Sequence, residues 1–144
     1  MLWLTPDGDE VGPAPMVTAY DTREMCRQVS AYPYTWQVLN WKIAAKELAI
    51  SGSEHNPRIV SKQFIRFIYE TLTGSDRFLK QVAGESTEFV TADDIPGLAA
   101  EMNRLSGEDR IEAGKLQGLV DNFDRHMSDP ALQDQDPRIA RIKN

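Results

Sequence analysis

The sequence predicts an α+β fold, helix-rich with a small, mostly antiparallel sheet. Three observations carry this. Apolar residues recur at helical spacing in several segments, as in Leu116, Leu119, Val120, Phe123 and Met127. Short runs of apolar, β-branched or aromatic residues, Leu2-Trp3-Leu4 and Thr35 to Leu39, border turn or helix-capping residues. Strands and helices also lack the strict alternation that a parallel sheet requires. The 144 residues read as a single domain, 1–144, with a polar tail from Ala131 to Asn144 that has little to pack on.

Taken in order, Leu2-Trp3-Leu4 is a strand that enters Thr5-Pro6-Asp7-Gly8, where Pro presets φ and Gly accepts a positive one. Gly12, Pro13 and Pro15 make an irregular connection. Asp21 or Thr22 caps a helix to about Val29, and Tyr32-Pro33 breaks it. Thr35 to Leu39 is the second strand. Asn40 caps a helix whose apolar face is Trp41, Ala44, Ala45, Leu48 and Ala49, stopped by Ser51-Gly52. Ile59 to Leu72 reads as an amphipathic helix with Phe64, Ile65, Ile68 and Leu72 buried. Ser75 or Asp76 then caps a short helix to about Val82. Glu88 to Thr91 reads as a strand. Asp93 or Asp94 caps a helix over Ile95, Leu98, Met102 and Leu105, with Pro96 in its first turn and Gly107 beyond its end. The stripe from Leu116 to Met127 forms the last long helix, closed by Asp129-Pro130.

Composition narrows the function classes. Hydrophobic residues make up 41% and charged residues 26%, ordinary for a globular protein. The net charge of −6 argues against nucleic acid, whose binders need a basic face to release counterions. Arg138, Arg141 and Lys143 are too few and too terminal to supply one. The single cysteine, Cys26, rules out an internal disulfide and fits a reducing compartment. Beside Met25 and Val29 it reads as a small core residue. No apolar run reaches membrane-spanning length, and Met1 to Gly8 lacks the basic start of a signal peptide. A cytoplasmic location, away from any membrane, is expected.

Complete catalytic motifs are missing from this sequence. It holds no glycine-rich phosphate loop, and His55 and His126 are far apart with no cysteine partners for zinc. The densest concentration of chemistry is Tyr34 to Pro57. There an aromatic strand and a helix lead into the donor-rich turn Ser51-Gly-Ser-Glu-His-Asn-Pro57. Trp36 and Trp41 serve either as core fillers or as a stacking platform. His55 is either a solvated loop histidine or a recognition group. Arg58 is either a surface residue or a carboxylate clamp. The acidic Asp7-Gly-Asp-Glu10 lacks calcium-loop spacing and reads as a solvated turn.

Four passages in order resemble one family. They are Leu2-Trp-Leu-Thr-Pro-Asp-Gly8; Tyr34 to Leu39 with Lys42-Ile-Ala44, Lys46-Glu47 and Leu48 to Pro57; Glu88 to Ile95 with Met102-Asn-Arg-Leu105; and Asp129-Pro130 with Gln133-Asp134. Together they look like the capping, substrate-side domain of FAD-dependent dehydrogenases of the fumarate reductase and 3-ketosteroid dehydrogenase flavoprotein type. The resemblance implies FAD for a longer protein and none held by this segment, because the family's glycine-rich turn is absent. It also implies a small-molecule substrate, an FAD-binding domain of the same polypeptide as partner, and self-association of the exposed cap. The residues carried over as substrate-binding are Tyr34, Trp36, Ser51, Gly52, Ser53, Glu54, His55 and Asn56; no catalytic residue is carried over. A different class remains open on the residues alone: a free-standing acidic, helix-rich interaction module of adaptor or immunity type.

Overall fold

The computed structural model describes residues 2–12, 22–45, 61–63, 65, 68–69, 76–133 and 135–136, with the side chains of 76–78 left aside. The chain groups into two compact units, one spanning Leu2–Val38 with Ala92–Asn144, the other Leu39–Thr91 together with Met1.

The first unit is built on a two-stranded sheet. Strand β1 (Leu2–Leu4) pairs antiparallel with β2 (Trp36–Val38), in the register Leu2 with Val38, Trp3 with Gln37 and Leu4 with Trp36. Residues directly opposite in such a pair share a face. Leu2 and Leu4, both buried, therefore lie on the same face as Val38 and Trp36. On the other face, the Trp3 indole N–H donates to Thr35 Oγ1 at 2.9 Å. The expected turn follows β1. Gly8 adopts φ 74°, its N–H donates to the Thr5 carbonyl at 3.0 Å, and Leu4 bridges Glu10 on the return. Thr5, itself buried, accepts the Asp7 and Asp9 N–H groups on its hydroxyl at 3.3 and 3.2 Å.

Helix α1 (Thr22–Val29) stops before Tyr32-Pro33, as the sequence requires. Its inward residues are Met25, Gln28 and Val29, spaced i, i+3, i+4. Cys26 lies about 100° round the helix from Met25 and is exposed, which corrects the core expectation for it. Arg27 and Gln28 donate to Glu24, and these bonds, with Arg27 first, hold that carboxyl at about 2.

Two longer helices complete this unit. Helix α3 (Ile95–Ser106) starts where Asp94 accepts the Gly97 N–H at 2.7 Å, carries Pro in its first turn and ends on Gly107 at φ 72°. Helix α4 (Ala113–Ser128) packs against α3, and the four-residue α5 (Pro130–Gln133) packs against α4. Among the described residues, Leu4, Met102 and Leu116 are the largest fully buried side chains, with Val11, Ala99 and Ile111 also buried. The α4 stripe is half-buried at Leu119, Val120 and Phe123 and opens at Met127.

In the second unit, Asn40 caps the helical residues 41–45 by accepting the Ile43 N–H at 2.8 Å. Ala45 is buried, but Trp41 is 37% exposed. Helix α2 (Asp76–Glu85) runs three residues beyond the expected end, with Leu79 buried. Two expectations fail here. Ile65 and Ile68, assigned to a buried stripe, are 87% and 56% exposed. Glu88 to Thr91 is not a strand: Ser86 turns the chain by accepting the Glu88 N–H at 3.2 Å, and Phe89 is 45% exposed. β-propensity without a pairing partner does not make a strand.

Candidate functional site

Of the residues proposed from sequence, Tyr34 and Trp36 are described; Ser51, Gly52, Ser53, Glu54, His55 and Asn56 lie outside the described residues, as does Arg58. Tyr34 and Trp36 are two apart on an extended segment, so both side chains fall on one face. Their rings meet edge to face, 5.5 Å between centroids and 81° between planes, the arrangement that aromatic quadrupoles favour. Both are half-buried. The Trp36 indole nitrogen is buried and has no hydrogen-bond partner among the described residues, a state rare enough in folded proteins to need a reason.

The Tyr34 hydroxyl donates to Glu108 Oε2 at 2.9 Å. Burial, and then the Glu108 bond, push the phenol pKa up, because both disfavour a phenolate. Arg110 donates to the other Glu108 oxygen at 2.9 Å and to Asp7 Oδ1 at 3.2 Å. Lys115 pairs with Asp9 at 2.8 Å and donates to the Asp7 carbonyl at 3.0 Å. A charged line thus runs from the turn after β1, through the loop between α3 and α4, to the residue that leads into β2.

Asn103 fixes that loop. Its side-chain oxygen accepts the Arg110 and Ile111 N–H groups at 3.2 and 2.8 Å, while its amide donates to the Ile111 carbonyl and to Asp109, both at 3.0 Å. Ser106 adds a bond from the Glu108 N–H at 3.4 Å. The sequence reading missed Glu108, Arg110, Lys115 and Asn103, and took Asp7 and Asp9 for a solvated turn. The one local signal was a charged loop, Glu108-Asp-Arg110, directly after a helix-ending glycine.

The described residues can also be tested against a dinucleotide. Its pyrophosphate needs free N–H groups at a helix start and glycines that let the backbone approach. The start of α3 is filled by the Asp94 carboxylate, and a Cβ on Gly97 would meet that carboxylate at 2.8 Å. Asn40 occupies the start of helix 41–45, and α4 follows Glu112. The starts of α3 and of helix 41–45 do not fit a pyrophosphate, while at α4 an acidic residue precedes amides that no side chain caps. Among the described residues no cluster of acidic, histidine or cysteine side chains could hold a metal ion, and no helix is long and apolar enough to cross a membrane.

No family model matches this chain, and no solved structure matches it significantly. Curated relatives do. A KsdD-like steroid dehydrogenase of Mycolicibacterium smegmatis is 31% identical over 137 residues, 92% of this chain and 24% of the relative. The chain's homologues are KsdD-like steroid dehydrogenases. Two from Mycobacterium tuberculosis strains are 32% and 31% identical over 129 residues, each match covering 88% of this chain and 23% of the relative. The chain therefore spans about a quarter of the length of the curated relatives it matches. The resemblance drawn from the sequence and these relatives point the same way.

Proposed function

We propose that this chain is the substrate-side, capping part of a flavin-dependent dehydrogenase acting on steroid-like molecules. The observation that carries this is the match along 92% of the chain to about a quarter of a KsdD-like steroid dehydrogenase. FAD, which takes up the hydride in such chemistry, is held by residues beyond this segment, and that FAD-binding domain is the chain's partner. By itself the segment does not turn over. Its own residues bind and orient. The Tyr34–Trp36 pair offers apolar ring surface to a polycyclic substrate, and the buried, unpartnered Trp36 N–H offers a donor to a substrate oxygen. The family resemblance assigns substrate contacts to Ser51 to Asn56 as well, a turn rich in donors and acceptors that lies outside the described residues. A free-standing interaction module has no comparable support among the relatives.

Intrinsic fluorescence tests this reading, since only Trp3, Trp36 and Trp41 report. A 3-ketosteroid titrated into the chain gives saturable quenching. Trp36→Phe weakens that binding roughly tenfold, the loss of one hydrogen bond of about 1.5 kcal/mol. A wild-type chain whose fluorescence does not respond to any 3-ketosteroid would refute the substrate-side role.

A further inference from the structure

Tyr34 ends in a hydroxyl, but its proton is already committed. It donates to Glu108, so the oxygen presents only lone pairs to any other group. Glu108 in turn is not a loose surface carboxylate. Its second oxygen is held by Arg110, its N–H by Ser106, and the loop that carries it by four hydrogen bonds of Asn103. Arg110 is anchored at its other end on Asp7, 103 residues away in sequence. Each of these ion pairs is substantially exposed, with Arg110 at 48% and Asp7 at 63%. Exposed pairs contribute little to stability. Their consequence is geometric: they fix where one carboxylate stands.

We propose that Glu108 is the positioning residue of the Tyr34–Trp36 pair, its Arg110-anchored carboxylate holding the Tyr34 hydroxyl so that the ring stays edge-on to the indole. The tyrosine then contributes a fixed wall and a hydrogen-bond acceptor, and Trp36 contributes the donor. The charged groups around the phenol are Glu108 and Arg110 from the loop between α3 and α4, and Asp7, reached through Arg110, from the turn after β1. This division of roles rests on the substrate-side reading above. The holding geometry itself does not, so it is testable without ligand.

The test uses the full chain with Glu108→Ala, Glu108→Gln and, as reference, Tyr34→Phe. Near-ultraviolet circular dichroism at neutral pH reads the aromatic coupling. Subtracting the Tyr34→Phe absorbance titration isolates the Tyr34 phenol from the other three of the four tyrosines. Far-ultraviolet dichroism confirms that each variant is folded. Glu108→Ala should lose the coupled aromatic band and bring the Tyr34 midpoint down toward the ordinary tyrosine value. Glu108→Gln keeps one acceptor oxygen but gives up the second that Arg110 holds, and should keep more of the band than Glu108→Ala. A role in stability alone would lower the melting temperature of Glu108→Ala and leave band and midpoint untouched, and that result overturns the proposal. A band lost equally in Glu108→Gln, with the fold intact, also overturns it. Steroid titration that fails while these signatures hold would sink the substrate-side reading and leave the positioning role standing.

Discussion

Gly8 holds two constraints at one position. Its φ of 74° is one that side chains rarely adopt, and a Cβ there would lie 3.3 Å from Ile111 Cδ1. The same turn supplies Asp7 and Asp9 to Arg110 and Lys115. Gly8→Ala should therefore cost about 1–2 kcal/mol, from the left-handed backbone alone, with any crowding of Ile111 added. Urea denaturation measures it; an unchanged midpoint would mean that the turn does not need the glycine. Residue chemistry of this kind was legible in the sequence. Pro6-Asp-Gly8 announced the turn, Asn40 announced its cap, Asp93 or Asp94 was expected to cap α3 and Asp94 does, and Gly107 announced a helix end. Pairings across long separations were not legible. Tyr34 finds Glu108 at a separation of 74 residues, and nothing in either local sequence encodes that. The turn Ser51 to Asn56 lies outside the described residues, so its assigned role stands as read from the family resemblance.

At the scale of elements, helical spacing and capping decided most of the outcome, and partner availability decided the exceptions. Helix α3 has a capping aspartate, a first-turn proline and a closing glycine, and its bounds match the expectation. Asp94 is exposed, so its contribution is the cap itself. Asp94→Ala should destabilise the chain by about 1 kcal/mol, and Asp94→Asn or Asp94→Ser should recover most of it, because the N3 amide needs an oxygen acceptor rather than a charge. Thermal melts of the three variants check this. A fully destabilised Asp94→Ser would show that charge matters instead. Phe89-Val-Thr91 shows the opposite case, with strand-forming residues and no strand. Strand formation depends on a neighbour, and a single sequence does not display its neighbours. Ile65 and Ile68 fail for a related reason. Periodicity identifies an apolar face, but what covers that face is a tertiary matter.

For the molecule as a whole, the match to about a quarter of a steroid dehydrogenase frames everything above. A substrate-side segment needs shaped apolar and polar surface but not a nucleotide cradle. On the proposed reading, the Tyr34–Trp36 pair and its charged anchor are that surface. At the helix starts of α3 and 41–45 side-chain oxygens already accept the N–H groups that a pyrophosphate would need, and an acidic residue precedes α4. FAD titrated into the purified chain separates the possibilities most directly. Flavin fluorescence should stay unchanged and the chain should remain colourless after dialysis. Stoichiometric quenching with a yellow, flavin-retaining protein would contradict the account at its centre.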